Sequence, residues 1–441
     1  MSKIMEILKT LVDTVKLYLV LLKYELSFIT SNSRSDIRDK EALILAPEFP
    51  PVVTGGVYRP LSWAKYSKIN QWAVKIVTKF EATNHITTDA AKHLHSQIAQ
   101  ESSVYRHCEY PINPSWRACP TINGSILFAI GAVEKAKEIY RNSRPKVVVA
   151  TGPTFDYFVA GYYLSKYFDV PLILDYRDEW TENPFDFVKS GGVDKFWERR
   201  IAKAADKIIF TTELMKQHFS RQFNRYQGLE TIYNGWEPDE HKISSNEEKC
   251  GDGPIDLLFA GYLGTHTPPF DFLDNLLEIQ SNLALEVRVT FLGGVANSIK
   301  ERLLTSKYIE ICSFKDIVPR NQAVEAMKNA DGLLLFVPEA MQRYIPGKLF
   351  DYAASDTPII AYGKEGETSQ AVIAGRLGYF VTNNDSASLQ EALSRIRNYE
   401  NNERLVTCDW LQSKSRKALA AELFTLLDRT TQRIGVSPTV Q

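Results

Sequence analysis

The stretch KVVVATGPTFDYFVAGYYLSKYFDVPLILDYR, residues 146–177, decides the fold class. Two runs of apolar and β-branched residues, 146–152 and 171–177, are typical of strands that are buried on both faces. The segment 155–168 between them is long and apolar enough for a helix. A strand, a helix and a second strand in this order form a βαβ unit with parallel strands, because the helix carries the chain back across the sheet. We therefore expect an α/β protein.

The same alternation continues on both sides of this stretch. In the first half, the remaining strand-like runs are 42–47, 72–78, 207–212 and 231–234, and a further helical segment is 126–140. In the second half, the strand-like runs are 256–264, 286–294, 308–314, 332–338, 357–363 and 378–383. A charged, turn-rich segment at 234–254 separates the halves as a domain linker would. The sequence therefore predicts two tandem Rossmann-like domains, each built on a doubly wound parallel sheet.

Composition fits this division into domains. We expect an N-terminal helix with its linker (1–40), a first domain (41–235), a second domain (236–409) and a C-terminal helix that returns to the first domain (410–441). The 441 residues are 44% hydrophobic and 11% aromatic, which is ample for two cores and excludes global disorder. The 52 basic and 53 acidic residues give a net charge of -1, which argues against binding of nucleic acid polymers.

Several site chemistries have no motif in the sequence. The five cysteines include no Cys-x-x-Cys pair and the seven histidines no His-x-x-x-His pair, so we expect neither a disulfide framework nor a zinc site. The P-loop and the Gly-x-Ser-x-Gly nucleophile motif are absent. Asp-x-Asp, the simplest carboxylate pair for a metal that holds a nucleotide diphosphate, is absent as well. The sequence therefore offers no motif for a metal or a cofactor.

The first 29 residues contain no Pro or Gly and mostly good helix formers, so they form one predicted helix. Its longest apolar run, between Lys16 and Lys23, is too short to span a bilayer, and no small-residue cleavage site of a signal peptide follows it. Its polar side carries Glu6, Lys9, Thr10, Asp13 and Lys16, and its apolar side carries Ile4, Leu8, Leu11, Val15, Tyr18 and Leu22. Two hypotheses remain open: residues 4–29 contact a membrane interface, or the helix packs on its own domain or on a second protomer.

Two segments of the first half follow predicted strands, where open parallel sheets bind their ligands. In APEFPPVVTGGVYRP (46–60), Gly55 and Gly56 allow backbone N–H groups to approach an anion, and Arg59 is either a phosphate clamp or a surface residue. In LDYRDEWTENPF (174–185), Arg177 and Asp178 belong to a charged cluster beside an aromatic residue. That cluster is either a ligand-binding loop or a loop held by an internal ion pair.

A third segment, QRYIPGKLFDYAASDTPIIAYG (342–363), lies in the second half. Pro346 and Gly347 open a predicted helix, and Lys348 adds a positive charge where a phosphate could bind. Asp351 lies one helical turn further along the same face, within reach of two vicinal hydroxyls of a sugar. The alternative is an ordinary ion pair between Lys348 and Asp351, which are three residues apart.

Taken together, these segments resemble the GT-B-fold glycosyltransferases of the group-1 (family-four) type, especially those of bacterial polysaccharide and lipopolysaccharide synthesis. The resemblance covers about 42–433. It is carried in order by PEFPPVVTGG, RDEWTENP, FTTELMKQHF, IYNGWEPDE, LLFAGYLG and PGKLFDYAASDTPIIA. It implies an acceptor domain followed by a nucleotide-sugar donor domain, closing around the donor. It also implies retention of configuration by front-face attack, with helix dipoles and basic residues instead of a metal offsetting the diphosphate charge.

The resemblance also implies roles for individual residues. Asp351 matches the second acidic residue of the family's Glu-x7-Glu element, which holds the ribose, and Lys348 falls where related sequences carry a lysine near the donor phosphates. Gly55 and Gly56 match the glycine loop that faces the diphosphate. The expected catalytic pair is Arg177 and Asp178, which lie in the loop that orients donor sugar or acceptor. The predicted donor-binding set also includes Arg59, Gly264 and Arg343.

The sequence departs from the family pattern at three points. Arg343 stands where the first Glu of the element is expected, and Asp351 replaces the usual Glu. The Arg and Lys that many members carry after the first strand of the second domain are missing, because Gly261 is followed by YLGTHTPP. We hypothesise that Arg343 supplies the missing phosphate charge, so Arg343→Ala should lower both the rate and the donor affinity.

These observations predict a retaining glycosyltransferase that uses a nucleotide diphosphate sugar and a lipid-linked or growing glycan acceptor. We expect it in the cytoplasm, peripheral at the inner face of the plasma membrane, because of the amphipathic N-terminus. Two other functions remain open at this point. One is a hydrolysing nucleotide-sugar epimerase of the same fold, and the other is a catalytically silent subunit that binds a nucleotide sugar.

Overall fold

The computed structural model describes residues 2–27, 36–80, 89–98, 102–115, 123–185, 188–241, 253–282, 285–398 and 408–432. The chain divides into two compact units. The N unit contains Met1–Thr211, Met215–Ile232 and Ala420–Gln441, and the C unit contains Thr212–Leu214 and Tyr233–Leu419. Residues 28–35 and 242–252, which include most of the two predicted linkers, lie outside the described residues.

The N unit is built on a seven-stranded parallel sheet with the order β4-β3-β2-β6-β7-β8-β9. Its strands are β2 (Glu41–Leu45), β3 (Ala73–Lys79), β4 (Ser103–His107), β6 (Val147–Gly152), β7 (Leu172–Tyr176), β8 (Lys207–Phe210) and β9 (Leu229–Thr231). A separate parallel pair joins β1 (Asp36–Ile37) to β5 (Ser143–Arg144). The predicted strand at 231–234 is wrong except for its first residue, because the pairing with β8 ends at Thr231.

The helices of the N unit follow the strands in the expected order. They are α1 (Ser2–Ser27), α2 (Tyr58–Tyr66), α3 (Asp89–Ser96), α4 (Ile126–Ile139), α5 (Asp156–Phe168), α6 (Gly192–Ala204) and α7 (Glu213–Phe223). The first two residues of α7 belong to the C unit. Helix α5 is buried along most of its length, which explains why its sequence lacks a clear polar side. Among the described residues, no helix is long and apolar enough to cross a membrane.

The C unit is built on a six-stranded parallel sheet with the order β12-β11-β10-β13-β14-β15. Its strands are β10 (Ile255–Ala260), β11 (Val287–Leu292), β12 (Cys312–Lys315), β13 (Gly332–Val337), β14 (Ile359–Gly363) and β15 (Gly378–Thr382). Its helices are α8 (Phe270–Asn282), α9 (Asn297–Leu304), α10 (Arg320–Asn329), α11 (Lys348–Ala354), α12 (Glu367–Gly375), α13 (Ser386–Arg397), α14 (Cys408–Ser413) and the first turn of α15 (Arg416–Gln432). Two apolar clusters form its core.

Each sheet has one point at which the order of the strands reverses. In the N unit the chain builds outward from β2 through β3 to β4 and then resumes on the other side of β2 with β6. In the C unit it builds from β10 to β12 and resumes on the other side of β10 with β13. Loops that leave the carboxyl ends of the two central strands diverge at such a point and leave a crevice. The carboxyl ends of β2 and β6, and of β10 and β13, are therefore where ligand sites are expected.

Candidate functional site

At the carboxyl edge of the N-unit sheet, a buried ion pair joins α2 to β7. The guanidinium of Arg59 donates from Nη2 to Oδ1 of Asp175 at 2.7 Å and from Nε to the same carboxylate at 3.0 Å. Thr151, at the end of β6, donates to the other carboxylate oxygen at 2.7 Å. Both partners are buried, with the Asp175 side chain fully inaccessible. The structure thus gives the Arg59 charge a partner within the protein, and its predicted contact with a donor phosphate stays a prediction.

Arg177, the first residue after β7, ties three loops together through backbone carbonyls. It donates from Nη1 to the carbonyl of Gly56 at 2.7 Å, from Nη2 to that of Pro153 at 2.6 Å and from Nε to that of Gly152 at 3.1 Å. Glu48, in the loop after β2, lies 3.8 Å from the same guanidinium. Burial lowers the pKa of Arg177, and the Glu48 charge partly opposes this effect. The side chain therefore sets the shape of the crevice at the switch point of the N unit.

The predicted glycine pair lies in that crevice, and its two members differ. A Cβ on Gly56 would lie 1.8 Å from Oε2 of Glu48 and 2.3 Å from Nη1 of Arg177, whereas a Cβ on Gly55 would meet no atom within 4 Å. Gly56 is thus required for the close approach of the Arg177 side chain. Gly55 is exposed and leaves open space at the mouth of the loop.

Asp178 and Trp180 follow Arg177 but have different environments. Burial raises the pKa of Asp178 above its usual value, although the neighbouring Arg177 charge opposes the rise. A carboxylate of raised basicity is suited to accept or orient a hydroxyl proton. The Trp180 ring stacks on Phe155 with centroids 5.0 Å apart, and its Nε1 donates to Asp194 at 2.9 Å. Trp180 is therefore a core residue, and the aromatic neighbour that made this loop look like a ligand surface serves packing.

In the C unit, Lys348 reaches from the start of α11 to the carboxyl end of β10. Its Nζ lies 3.6 Å from the centroid of the Phe259 ring, and a Cβ on Gly261 would lie only 3.4 Å from that nitrogen. Within the described part of the chain no carboxylate pairs with this ammonium group, and desolvation lowers its pKa to about 7. A cation withdrawn from water without a counter-charge is costly, and an anionic ligand would relieve that cost. This arrangement lies at the switch point between β10 and β13.

Asp351, one turn along α11, is held by two partners rather than by Lys348. Nη2 of Arg320 forms a short ion pair with Oδ1 of Asp351, and Nε2 of His241 lies 3.5 Å from the same oxygen. Burial alone would raise the pKa of Asp351, but these neighbours outweigh it and hold the pKa well below its usual range. The described contacts of Lys348 and Asp351 therefore do not include the ion pair between them that the sequence left open. Because its pKa is so low, Asp351 stays ionised at any working pH.

The remaining two predicted donor-binding residues lie in loops of the C unit. Arg343 precedes α11, and its backbone carbonyl accepts a hydrogen bond from the Thr212 hydroxyl. Gly264 lies after β10, where a Cβ would come within 2.6 Å of the His266 ring. Burial and the Lys348 charge lower the pKa of His266. The structure therefore brings Gly264, His266 and Lys348 to the same sheet edge.

Sequence reasoning missed three residues at these edges. Glu48 and Arg320 became visible only as partners of Arg177 and Asp351, since neither belongs to a recognisable motif. Glu367, at the start of α12, accepts hydrogen bonds from the backbone N–H groups of Glu213 and Leu214 at 3.1 and 2.8 Å. A carboxylate at a helix N-terminus offsets the positive end of the helix dipole, so Glu367 stabilises the start of α7. In the sequence, the signal for Glu367 was its position directly after Gly366, in the turn that follows β14.

Comparison with known proteins identifies the fold. No family model matches the chain, and no curated protein sequence matches it. A glycosyltransferase from Rickettsia africae ESF-5 superimposes with a TM-score of 0.63 at 13% identity, covering 91% of this chain and 100% of that one. Anabaena Alr3699/HepE, solved with UDP and glucose, gives 0.58 at 13% identity, with 90% and 98% covered. The lipopolysaccharide outer core galactosyltransferase WaaB gives 0.59 at 12% identity, with 88% and 99% covered.

These similarities, together with the two parallel sheets, confirm the predicted fold: this chain has the GT-B architecture of two Rossmann-like units. Because the sequence identities are so low, the similarity extends to the fold and not to individual side chains. The chemistry of the site therefore depends on this chain's own residues.

Proposed function

We propose that this protein is a retaining glycosyltransferase that moves a sugar from a nucleotide diphosphate sugar to a lipid-linked or growing glycan. The observation that carries the proposal is Lys348, a desolvated amine at the switch point of the C unit that no carboxylate of the described residues pairs with. A diphosphate supplies the negative charge that this position lacks. Support comes from structural neighbours that are glycosyltransferases, one of them solved with UDP-glucose.

The donor would bind to the C unit through complementary charges. Lys348 contacts the diphosphate, and the oxygen atoms of Asp351, kept ionised by Arg320, accept hydrogen bonds from the ribose hydroxyls. Gly264 and Gly261 allow the backbone after β10 to approach the donor closely. Arg343, in the loop before α11, adds a second positive charge to the phosphates.

In the transfer step, the bond between the anomeric carbon and the diphosphate oxygen breaks, and a bond from the acceptor oxygen to the same face of that carbon forms. The acceptor proton passes to the departing phosphate oxygen, so no protein nucleophile is needed. Lys348 stabilises the negative charge that develops on the diphosphate. In the N unit, Arg177 fixes the loop that carries Asp178, and Asp178 orients the acceptor hydroxyl.

Donor recognition can be tested with a panel of uridine, guanosine, adenosine, cytidine and thymidine diphosphate sugars. We expect one base to raise the melting temperature of the full chain, because a ligand that binds only the folded state stabilises it by mass action. Lys348→Met should abolish that increase, and Arg343→Ala should reduce it. A chain that binds none of the five in calorimetry would contradict the proposal.

Turnover distinguishes transfer from the other functions considered. Slow release of free sugar from the recognised donor is the expected background reaction of a transferase without its acceptor. Epimerised sugar would identify an epimerase, and tight binding without any release, on any acceptor offered, would identify a silent subunit. The proposal assigns charge neutralisation to Lys348 rather than to a metal, so we expect the release rate to be unchanged in EDTA; a rate restored only by a divalent cation would contradict this assignment.

We also propose that the protein works in the cytoplasm at the inner face of the plasma membrane, where lipid-linked acceptors would be available. The exposed apolar surface of α1 supports this location.

A further inference from the structure

Helix α1 attaches to the N unit through polar contacts. The carboxylate of Asp13 accepts a hydrogen bond from the backbone N–H of Asn113 at 3.0 Å, and the Thr14 hydroxyl accepts one from the N–H of Ser115 at 2.9 Å. Near the other end, Tyr24 donates to Glu134 at 2.6 Å. Polar contacts of this kind fix the rotation of a helix about its axis, because each depends on direction.

A second group of contacts holds the end of α1. Glu25 accepts a hydrogen bond from the Tyr163 hydroxyl at 3.0 Å and forms a short ion pair with Arg200. The rings of Tyr24 and Tyr163 lie 5.3 Å apart. The hypothesis that the helix packs on its own domain is therefore correct. The packed side carries the buried side chains of Asp13, Leu17 and Tyr24.

The opposite side of α1 is apolar and exposed. Eleven large apolar side chains on this helix are each between 50% and 66% exposed. They are Ile4, Met5, Ile7, Leu8, Leu11, Val12, Val15, Tyr18, Leu19, Leu22 and Leu26. A helix of 26 residues is about 39 Å long, so this is a continuous apolar surface rather than scattered side chains. A surface of this kind marks an interaction site.

The charges on α1 indicate what covers this surface. Lys9, Lys16 and Lys23 are exposed and repeat every seven residues, which places them in one row along the helix. Val12, Leu19 and Leu26 each lie three or four residues from one of these lysines and are exposed. Residues at that spacing are neighbours on a helix surface, so the row borders the apolar surface. The acidic residues lie elsewhere: Asp13 and Glu25 belong to the attached side, and Glu6 shares its row with Asp13. The exposed surface is therefore apolar with a basic border.

We propose that this face of α1 lies in the interface of a membrane that contains anionic phospholipids. The apolar side chains enter the boundary between headgroups and acyl chains, and the lysine row extends to the lipid phosphates. The attached side holds the N unit at the surface in one orientation. A second copy of the chain is a poorer occupant, because the same lysine row borders its own apolar face, so two such faces would gather like charges at one interface. The inference rests on the proposed membrane location and not on glycosyl transfer.

The test is sedimentation of the full chain with vesicles of phosphatidylcholine alone or with added phosphatidylglycerol. We expect the protein to partition to the mixed vesicles. The variant Leu11→Glu/Val15→Glu/Leu22→Glu, at three exposed positions, should lower partitioning by more than about a hundredfold, because each side chain loses its apolar burial. Lys9→Gln/Lys23→Gln should lower it by about fivefold per lysine on the mixed vesicles only. It leaves the Lys16–Asp13 ion pair intact.

The matched control is Ile69→Glu/Ile309→Glu/Ile317→Glu, which changes three exposed apolar residues outside α1 in the same way. It should bind vesicles like the unaltered chain. The inference is wrong if the unaltered chain stays in the supernatant with both vesicles, or if the control loses as much binding as the α1 variant. A lipid-free dimer in analytical ultracentrifugation that the α1 variant converts to a monomer would identify a second copy as the occupant. Release of sugar from the donor, measured in the same samples, reports separately on the proposed function.

Discussion

The two units treat a positive charge at the carboxyl edge of the sheet in opposite ways. In the N unit, Arg59 donates to Asp175 from both Nε and Nη2, and Thr151 donates to the same carboxylate. In the C unit, Lys348 lies against an aromatic ring with no carboxylate beside it among the described residues. Both residues lie at a carboxyl sheet edge, so position alone does not separate them. The difference is the internal counter-charge. Arg59 has one, and Lys348 has none among the described residues, which is what the proposed contact with a donor diphosphate requires.

The largest expected effect comes from breaking the matched pair. Asp175→Ala leaves the Arg59 guanidinium buried without its carboxylate, which should lower the free energy of unfolding of the N unit by about 3–5 kcal/mol. Chemical denaturation of the full chain measures this loss. The double variant Arg59→Met/Asp175→Leu, which removes both charges, should recover most of it. If the double variant is no more stable than Asp175→Ala, the unpaired Arg59 charge is not the cause of the loss.

The second effect comes from removing the unmatched cation. Lys348→Met should weaken donor binding by about a hundredfold, because a desolvated charge contact to the diphosphate is lost. The same variant should not be less stable without donor, since no carboxylate of the described residues pairs with this ammonium and a methionine can keep the packing on Phe259. Calorimetric titration and thermal melting measure the two quantities. A clear drop in melting temperature without donor would show that Lys348 has a structural role like that of Arg59.

The third prediction uses the pKa of Lys348, which is lowered to about 7. The diphosphate binds the protonated form, so donor affinity should be constant below pH 7 and fall about tenfold per pH unit above it. Stability without donor should change in the opposite direction. Because the folded pKa lies below the unfolded value, protonation of Lys348 costs stability. The free energy of unfolding should therefore be lowest and constant below pH 7 and rise with pH from about 7 towards the unfolded pKa of 10.5. Lys348→Met should remove both slopes, and a persisting slope in donor affinity would assign it to another group.

The smallest expected effect distinguishes the two glycines after β2. Gly56→Ala should lower the turnover about tenfold, since its Cβ would displace the Arg177 side chain and with it the loop that carries Asp178. Gly55→Ala places its Cβ in open space, so its effect should be clearly smaller. The ratio of the two rates at saturating donor is the measurement. Equal effects would mean that the Arg177 contacts do not position the catalytic loop.

The sequence predicted the two sheets well because buried parallel strands are continuous apolar runs. The exceptions have physical reasons. Strand β4 was missed because SVYRH is half-buried at the edge of the sheet and carries polar residues. The predicted strands at 231–234 and 256–264 extended too far, and the one at 308–314 began four residues before β12. Apolar content does not reveal where backbone pairing starts or stops.

The candidate site was harder to predict than the fold. The sequence located the loops, because chain order fixes the switch points, but it did not reveal which charges are internally matched. Asp351 lies three residues from Lys348, yet its partners Arg320 and His241 come from elsewhere in the C unit. Trp180 beside the charged loop suggested a ligand surface and proved to be packed on Phe155. Tertiary contacts of this kind leave no local pattern.

The C-terminal helix has a consequence for how the protein is made. Helix α15 begins in the C unit, but from Ala420 onward it belongs to the N unit, where Phe424 stacks near Trp72 and Asp428 pairs with Lys40. The ribosome therefore delivers the last piece of the N unit only after the whole C unit has been translated. At ordinary elongation rates this interval is roughly 10–40 s. Throughout it, the surface that receives Leu423 and Phe424 stays uncovered, so a ribosome stalled within the C unit would hold an N unit that is not yet complete.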